Sequence, residues 1–153
     1  MKSNLFNYED PSRHVDADAG VILRGLDDAE WRTLQDFAEH QRYPARAQIL
    51  RMGEADRTLY IVQAGKVDVV IEEPRKSKVI ATIGAGSVFG ELAFFDGEPR
   101  SASIHATEDC ALLALSHAAF TTMSAWHPRI ARELLFDLGR VISMRLRRAQ
   151  ARR

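Results

Sequence analysis

Apolar positions first fall into a regular pattern near residue 30, where Trp31, Leu34, Phe37 and Ala38 recur at helical spacing and share one face. The stretch "DDAE" just before them offers Asp27 as an N-cap and Glu30 as its reciprocal partner, so a helix is predicted to begin near Asp27. From about residue 41 the period shortens. "QILRM" runs to Gly53 and "TLYIVQA" to Gly65, and "KVDVVIEE" alternates Val67, Val69 and Ile71 with polar or exposed neighbours. "QAGKVDVVI" reads as a β-hairpin with its tight turn at Gly65. "KVIATI", "GAG" and "SVFGEL" follow, then "SASIHA" and "CALLAL" with a polar "TED" turn between them. About eight short strands at this spacing predict a sandwich, jelly roll or barrel rather than a βαβ fold.

The helical period returns at Ser116, which can cap "HAAFTTMSAW". Pro128 suits the first turn of a second helix, predicted to run to about residue 150. In it Leu135, Leu138, Ile142 and Leu146 recur at three- and four-residue spacing, with Leu134 and Val141 widening the face. That face is long for a helix covering a small barrel. It either packs wholly on the barrel or pairs in part with a second copy of the chain in a short coiled coil. Residues 1–20 hold six charged residues and few apolar anchors and read as a flexible arm. The expected division is therefore an arm over 1–20 and one domain over 21–153, whose C-terminal helices occupy about 116–151.

Composition narrows the class. A chain of 153 residues that is 46% hydrophobic buries one ordinary core. Its 21 basic and 21 acidic residues balance, so the totals carry no nucleic-acid or membrane signal. The single cysteine, Cys110, excludes an internal disulfide framework, fits a reducing compartment, and falls in an apolar strand as a core residue. No long apolar run follows Lys2, and no segment approaches the ~20 apolar residues that span a bilayer. A cytoplasmic globular domain is expected. His14, His40, His105, His117 and His127 are scattered, with no pair at metal-ligand spacing, so neither a metal nor a catalytic site is expected. The final stretch "RVISMRLRRAQARR" has six arginines and no acid, which suits a solvated helix C-terminus as well as an acidic partner.

Chemistry concentrates in "FGELAFFDGEPRSA", residues 89–102, where a lone Glu91 and a lone Arg100 lie in an apolar neighbourhood. A charge there needs a partner. The two are either an ion pair across a loop or two contacts to a ligand. The longer stretch "GSVFGELAFFDGEPRSASIHA" resembles the phosphate-binding cassette of the cyclic nucleotide-binding domain family. The resemblance rests on Gly90-Glu91-Leu92-Ala93 and Pro99-Arg100-Ser101-Ala102 with a short loop between them, and it extends over roughly residues 22–150.

That resemblance implies a mainly β fold with flanking helices: an eight-stranded jelly-roll barrel with the cassette between strands six and seven, an N-terminal helix, and two C-terminal helices. It assigns Glu91 to the ribose hydroxyl and Arg100 to the cyclic phosphate, whose oxygens suit planar, permanently charged donors. Gly90 would admit the backbone close to the ligand. The Ser101 hydroxyl and the N–H groups near Leu92, Ala93 and Ala102 would complete the phosphate cradle, with Phe89 and Pro99 flanking it. The base would meet the last helix near Ile142, Arg145 and Leu146, although Arg145 and Leu146 stand where family members place small hydroxyl residues. Arg145 either stacks on a purine face or points to solvent. Cyclic AMP is the expected ligand, with cyclic GMP or cyclic di-GMP as alternatives, and a degenerate fold that binds protein instead is a further alternative. The implied mechanism is a cassette drawn inward by phosphate and a hinge near Ser116 to Pro128 that swings the last helix over the base, acting on an unidentified effector protein. The sequence ends at Arg153, before any helix-turn-helix module, so no nucleic-acid binding by this chain alone is expected. The cysteine cluster of iron–sulfur relatives is missing, so oxygen sensing by that route is not expected either.

Overall fold

The computed structural model describes residues 22–151, and the arm expected over 1–20 lies outside them. Helix α1, Asp28–Phe37, starts where the capping pattern places it: Asp27 Oδ1 accepts from the Glu30 N–H at 2.8 Å, and Glu30 Oε1 accepts from the Asp27 N–H at 3.1 Å. Leu34 is fully buried, with Trp31, Phe37 and Ala38 packed around the same core.

Eight strands follow: β1 Glu39–Tyr43, β2 Gln48–Leu50, β3 Leu59–Ala64, β4 Lys66–Glu73, β5 Lys76–Gly84, β6 Val88–Phe89, β7 Ser103–Ala106 and β8 Cys110–Leu115. They form two four-stranded antiparallel sheets, ordered β1-β8-β3-β6 and β2-β7-β4-β5. No hydrogen-bonded strand pair joins the sheets among the described residues, so they face each other as two layers rather than one closed sheet. Strand β3 is apolar on both faces because each face meets a different core. Leu59 and Ile61 pack with Leu113, Leu115 and the helices, whereas Tyr60 and Val62 pack with Val67, Ala81 and Ile104 between the sheets.

The hairpin expected at Gly65 is not formed. Strands β3 and β4 belong to different sheets, and Gly65 turns the chain from one layer into the other. Its φ is +89°, and a Cβ there would lie 2.4 Å from the Asp109 carbonyl oxygen and 2.8 Å from Cys110 Sγ. The glycine thus serves a crowded crossing, not a two-residue turn. The tight hairpin is β4–β5, closed through Pro74 and Arg75 with Glu73 opposite Lys76. A register shift between Val69 and Val70 leaves Ile80 as an extra residue on β5, a bulge beside the cavity described below.

Between β6 and β7 lies a fourth helix, α2, Glu91–Asp96. Helix α3, His117–Trp126, is capped by Ser116 Oγ, which accepts from the Ala119 N–H at 3.0 Å, and α4 runs from Pro128 to Ala151. The buried face of α4 is centred on Ile130, Leu134, Leu138 and Val141. Of the apolar face read from the sequence, Leu134, Leu138 and Val141 are buried, whereas Leu135 and Leu146 are exposed. Two side chains of α4 tie the N-terminal segment to it. Asp137 accepts from the Leu23 N–H at 2.7 Å, and Arg129 donates to Glu30 at 2.6 Å and to the Gly25 carbonyl at 3.1 Å. Among the described residues no helix is long and apolar enough to cross a membrane.

Candidate functional site

A cavity of about 610 Å³ opens between the β2-β7-β4-β5 sheet, the α2 segment and α4. Its walls are largely aliphatic, with Leu50, Val69, Ile71, Ile80, Ile83 and Ile104 supplied by the strands. Only four lining residues among those described carry a charge or hydroxyl: Glu91, Arg100, Ser101 and Arg145. An apolar cleft with a few convergent polar groups is the ordinary form of a small-molecule site.

Arg100 is the most constrained of the four. It is 4% exposed and reaches from the loop after α2 back under the cassette. Its Nη1 donates to the Gly90 carbonyl at 3.0 Å, and its Nη2 donates to Asp56 Oδ2 at 2.9 Å and the Thr58 carbonyl at 2.7 Å. Its Nε is buried and has no hydrogen-bond partner among the described residues. Asp56 is held in its turn by the Thr58 N–H and hydroxyl, at 3.1 and 2.9 Å on Oδ1, an Asx-type turn in the β2–β3 connection. Burial alone would raise the Asp56 carboxyl. Its hydrogen bonds from Arg100 and Thr58, with the Arg100 charge, outweigh that and hold it below the usual carboxylate range.

Gly90 caps the start of α2 in the left-handed region, at φ +81°. A Cβ there would meet Arg100 Nη1 at 2.8 Å and the Thr58 carbonyl oxygen at 2.9 Å. The missing side chain makes room for the Arg100 guanidinium.

Glu91 and Arg100 do not pair with each other. Glu91, the first residue of α2 and 9% exposed, is met by Arg145 from α4, whose Nη1 lies 3.1 Å from Glu91 Oε1. Arg145 also donates to the Val88 carbonyl at 2.8 Å and to Ser87 Oγ at 3.2 Å. Its side chain is 12% exposed, so it does not point to solvent. The end of α2 is gripped as well. Arg57 donates to the carbonyls of Ala93, Phe94 and Phe95, at 3.3, 2.9 and 3.0 Å, the cation-at-C-terminus arrangement that complements the helix dipole. From the buried side of α2, Phe94 meets Phe120 and His117 of α3 edge-on, with ring centroids 5.3 and 5.7 Å apart.

The sequence-derived candidates therefore converge on one place. Phe89, Gly90, Glu91, Leu92 and Ala93 line the cavity on one side of the loop, and Arg100, Ser101 and Ala102 line it on the other. Ile142, Arg145 and Leu146 close it from α4. Pro99 is exposed and does not line it. Phe89 serves two roles, since its ring also stacks on Tyr60 at 4.9 Å between the sheets. Asp56 and Thr58 were not singled out, although Asp two residues before Thr in "ADRT" is an Asx-turn pattern that flags a fixed carboxylate. The Ser87 and Val88 contacts to Arg145 leave no such trace, because they depend on where α4 lies.

A model of the cyclic nucleotide-binding domain matches residues 40–125. Over 130 residues the chain is 30% identical to the cAMP-dependent protein kinase regulatory subunit of Colletotrichum orbiculare, covering 85% of this chain and 32% of that one. Over 113 residues it is 30% identical to the cAMP-activated global transcriptional regulator CRP of Salmonella typhimurium, covering 71% of this chain and 54% of that one. The chain thus spans between a third and about half the length of these relatives. The crystal structure of a cyclic nucleotide-binding domain from Methylobacillus flagellatus superposes with a TM-score of 0.77 at 30% identity, over 83% of this chain and 72% of that one. With more than half of its residues inside the matched domain and the cassette assembled around one cavity, the chain belongs to the cyclic nucleotide-binding domain family.

Proposed function

We propose that this protein is a receptor for a cyclic mononucleotide, cyclic AMP first, and that it works by repositioning its C-terminal helices rather than by catalysis. The observation that carries the reading is Arg100: a buried guanidinium that lines the cavity, is held on two sides by protein oxygens, and retains a buried Nε donor without a partner among the described residues. Such a group suits an anionic oxygen, and the one carboxylate on it, Asp56, is partly exposed and offsets its charge only in part. Glu91 supplies the acceptor for a ribose hydroxyl, and the aliphatic wall from β4 and β5 receives a base. We read the strand order of the two sheets as a jelly roll, which presents the cassette at the mouth of that wall.

The cassette touches both C-terminal helices, α3 through Phe94 and α4 through Glu91. A ligand that draws α2 toward Arg100 therefore has differential contacts with the positions of these helices, the requirement for shifting a two-state equilibrium. We include a homodimer through α4 in this reading. Leu135 and Leu146 are exposed, Gly139 has open space around it, and Leu135, Gly139, Ile142 and Leu146 follow coiled-coil spacing. A cytoplasmic setting accords with a lone, buried Cys110 whose thiol burial pushes its pKa upward.

Titration calorimetry of the chain with cyclic AMP, cyclic GMP and cyclic di-GMP tests the reading, with light scattering for the oligomer. Arg100→Leu is expected to abolish binding of whichever nucleotide binds. Unchanged affinity in that variant would refute the cassette assignment. Absence of binding to all three would favour a protein-interaction module built on the same fold.

A further inference from the structure

Arg145 lies on α4, 54 positions along the chain from the glutamate it meets, yet it joins three separate pieces of the cavity rim. It donates to the Val88 carbonyl and to Ser87 Oγ at the entry to the cassette, and it pairs with Glu91 inside it. The side chains of Arg145 and Glu91 are 12% and 11% exposed. Burying a carboxylate so far from water is costly unless a partner compensates it, and that partner also fixes its rotamer. Glu91 Oε1 faces Arg145, and a carboxylate has two oxygens with several lone pairs, so one edge can be held while the other accepts a neutral hydroxyl.

We propose that Arg145 is the positioning residue for sugar recognition: by fixing and neutralising Glu91 it makes the site selective for a cyclic nucleotide bearing a free 2′-hydroxyl, and it couples that hydroxyl to the placement of α4. The inference rests on the receptor reading above and adds a residue and a specificity to it. Arg100, on the opposite side of the cassette, is the phosphate ligand in this reading and is seated by Gly90, Asp56 and Thr58, whereas Arg145 is anchored by Ser87, Val88 and Glu91. Sugar and phosphate selection are thereby separable by mutation. Because coupling between two equilibria is reciprocal, removal of the 2′-hydroxyl should also loosen α4, and displacement of α4 should cost sugar selectivity.

The test compares cyclic AMP with 2′-deoxy cyclic AMP on the full chain, by calorimetry, for the unaltered protein and for Arg145→Ala, Arg145→Lys and Glu91→Gln. The unaltered protein should prefer the ribose form by about 10- to 100-fold, the range for one hydrogen bond to a charged group. Arg145→Ala should reduce that preference to within about 3-fold, Glu91→Gln should do likewise, and Arg145→Lys, which keeps the charge but not the planar fork, should fall between. A role confined to stability would weaken both ligands alike and leave their ratio unchanged. A ratio within about twofold of the original in Arg145→Ala, or in Arg145→Lys if the alanine variant does not fold, overturns this proposal while leaving the receptor reading intact. An unaltered protein that binds neither nucleotide overturns both.

Discussion

Replacing Gly90 by alanine adds one methyl group at the most crowded point of the cassette. The residue sits at φ +81°, where a non-glycine residue costs about 1–2 kcal/mol through contact of its Cβ with the backbone. The added carbon would also lie 2.8 Å from Arg100 Nη1 and 2.9 Å from the Thr58 carbonyl oxygen. Neither neighbour yields easily, because the carbonyl belongs to the chain entering β3 and the guanidinium is tied to Gly90, Asp56 and Thr58. Overpacking of this kind adds about 1–3 kcal/mol, so the total loss of stability should be about 2–5 kcal/mol. Gly53→Ala is the control, since Gly53 has φ +92° but nothing within 4 Å of an added Cβ, and it should cost only the backbone share of about 1–2 kcal/mol. Relief of the clash by displacing Arg100 would break its bond to the Gly90 carbonyl and lower affinity for a cyclic nucleotide by about 10-fold or more. Urea denaturation of the two variants measures the stability difference, and calorimetry measures the affinity. Equal destabilisation by the two substitutions, with nucleotide affinity retained in Gly90→Ala, would refute the reasoning that glycine is there to seat Arg100.

Other consequences are simpler to state. Burial, with the Asp56 charge adding to it, pushes the Tyr60 hydroxyl up to about 12. The folded chain therefore keeps that proton after the unfolded chain has lost it, and stability should decline by up to about 3 kcal/mol as pH rises from about 10 to 12. Thermal melts across that range should show a shallower decline for Tyr60→Phe than for the unaltered protein. Phe94→Ala removes a side chain that is 2% exposed and lies edge-on to Phe120 and His117, and should cost about 3–5 kcal/mol in denaturant unfolding. If Phe94 links the cassette to α3, the same variant should also reduce the nucleotide-dependent change in proteolysis or hydrogen exchange over residues 117–126.

Much of the local structure was legible because its causes are local. Asp27 and Glu30 announce the start of α1 through a capping box spanning three residues, and Ser116 and Pro128 mark α3 and α4 through a cap and a missing N–H. Strand positions followed from alternation and from turn residues. The pairing of strands was less accessible. Gly65 lies between two β runs in a pattern that fits a hairpin, and only the other sheet, passing at Asp109 and Cys110, shows why the chain crosses there instead. The apolar face of α4 could not be divided from sequence, since Leu135, Leu138, Ile142 and Leu146 read as apolar whether they meet the core, the cavity or solvent.

The cassette shows the same division at atomic scale. The sequence by itself placed a lone Glu91 and a lone Arg100 in an apolar stretch, "FGELAFFDGEPRSA", whose resemblance to a phosphate-binding cassette implies an acceptor for a sugar and a donor for an anion. It left open whether Glu91 and Arg100 serve each other. Tertiary structure decided that they do not: the β2–β3 connection brings Asp56 and the Thr58 carbonyl to Arg100, and α4 brings Arg145 to Glu91. Charges find their partners through space, over a few ångströms, and the residues that met here are separated by 44 and 54 positions along the chain. No periodicity or motif spacing encodes such meetings, since they follow from how two sheets and a terminal helix pack against one another.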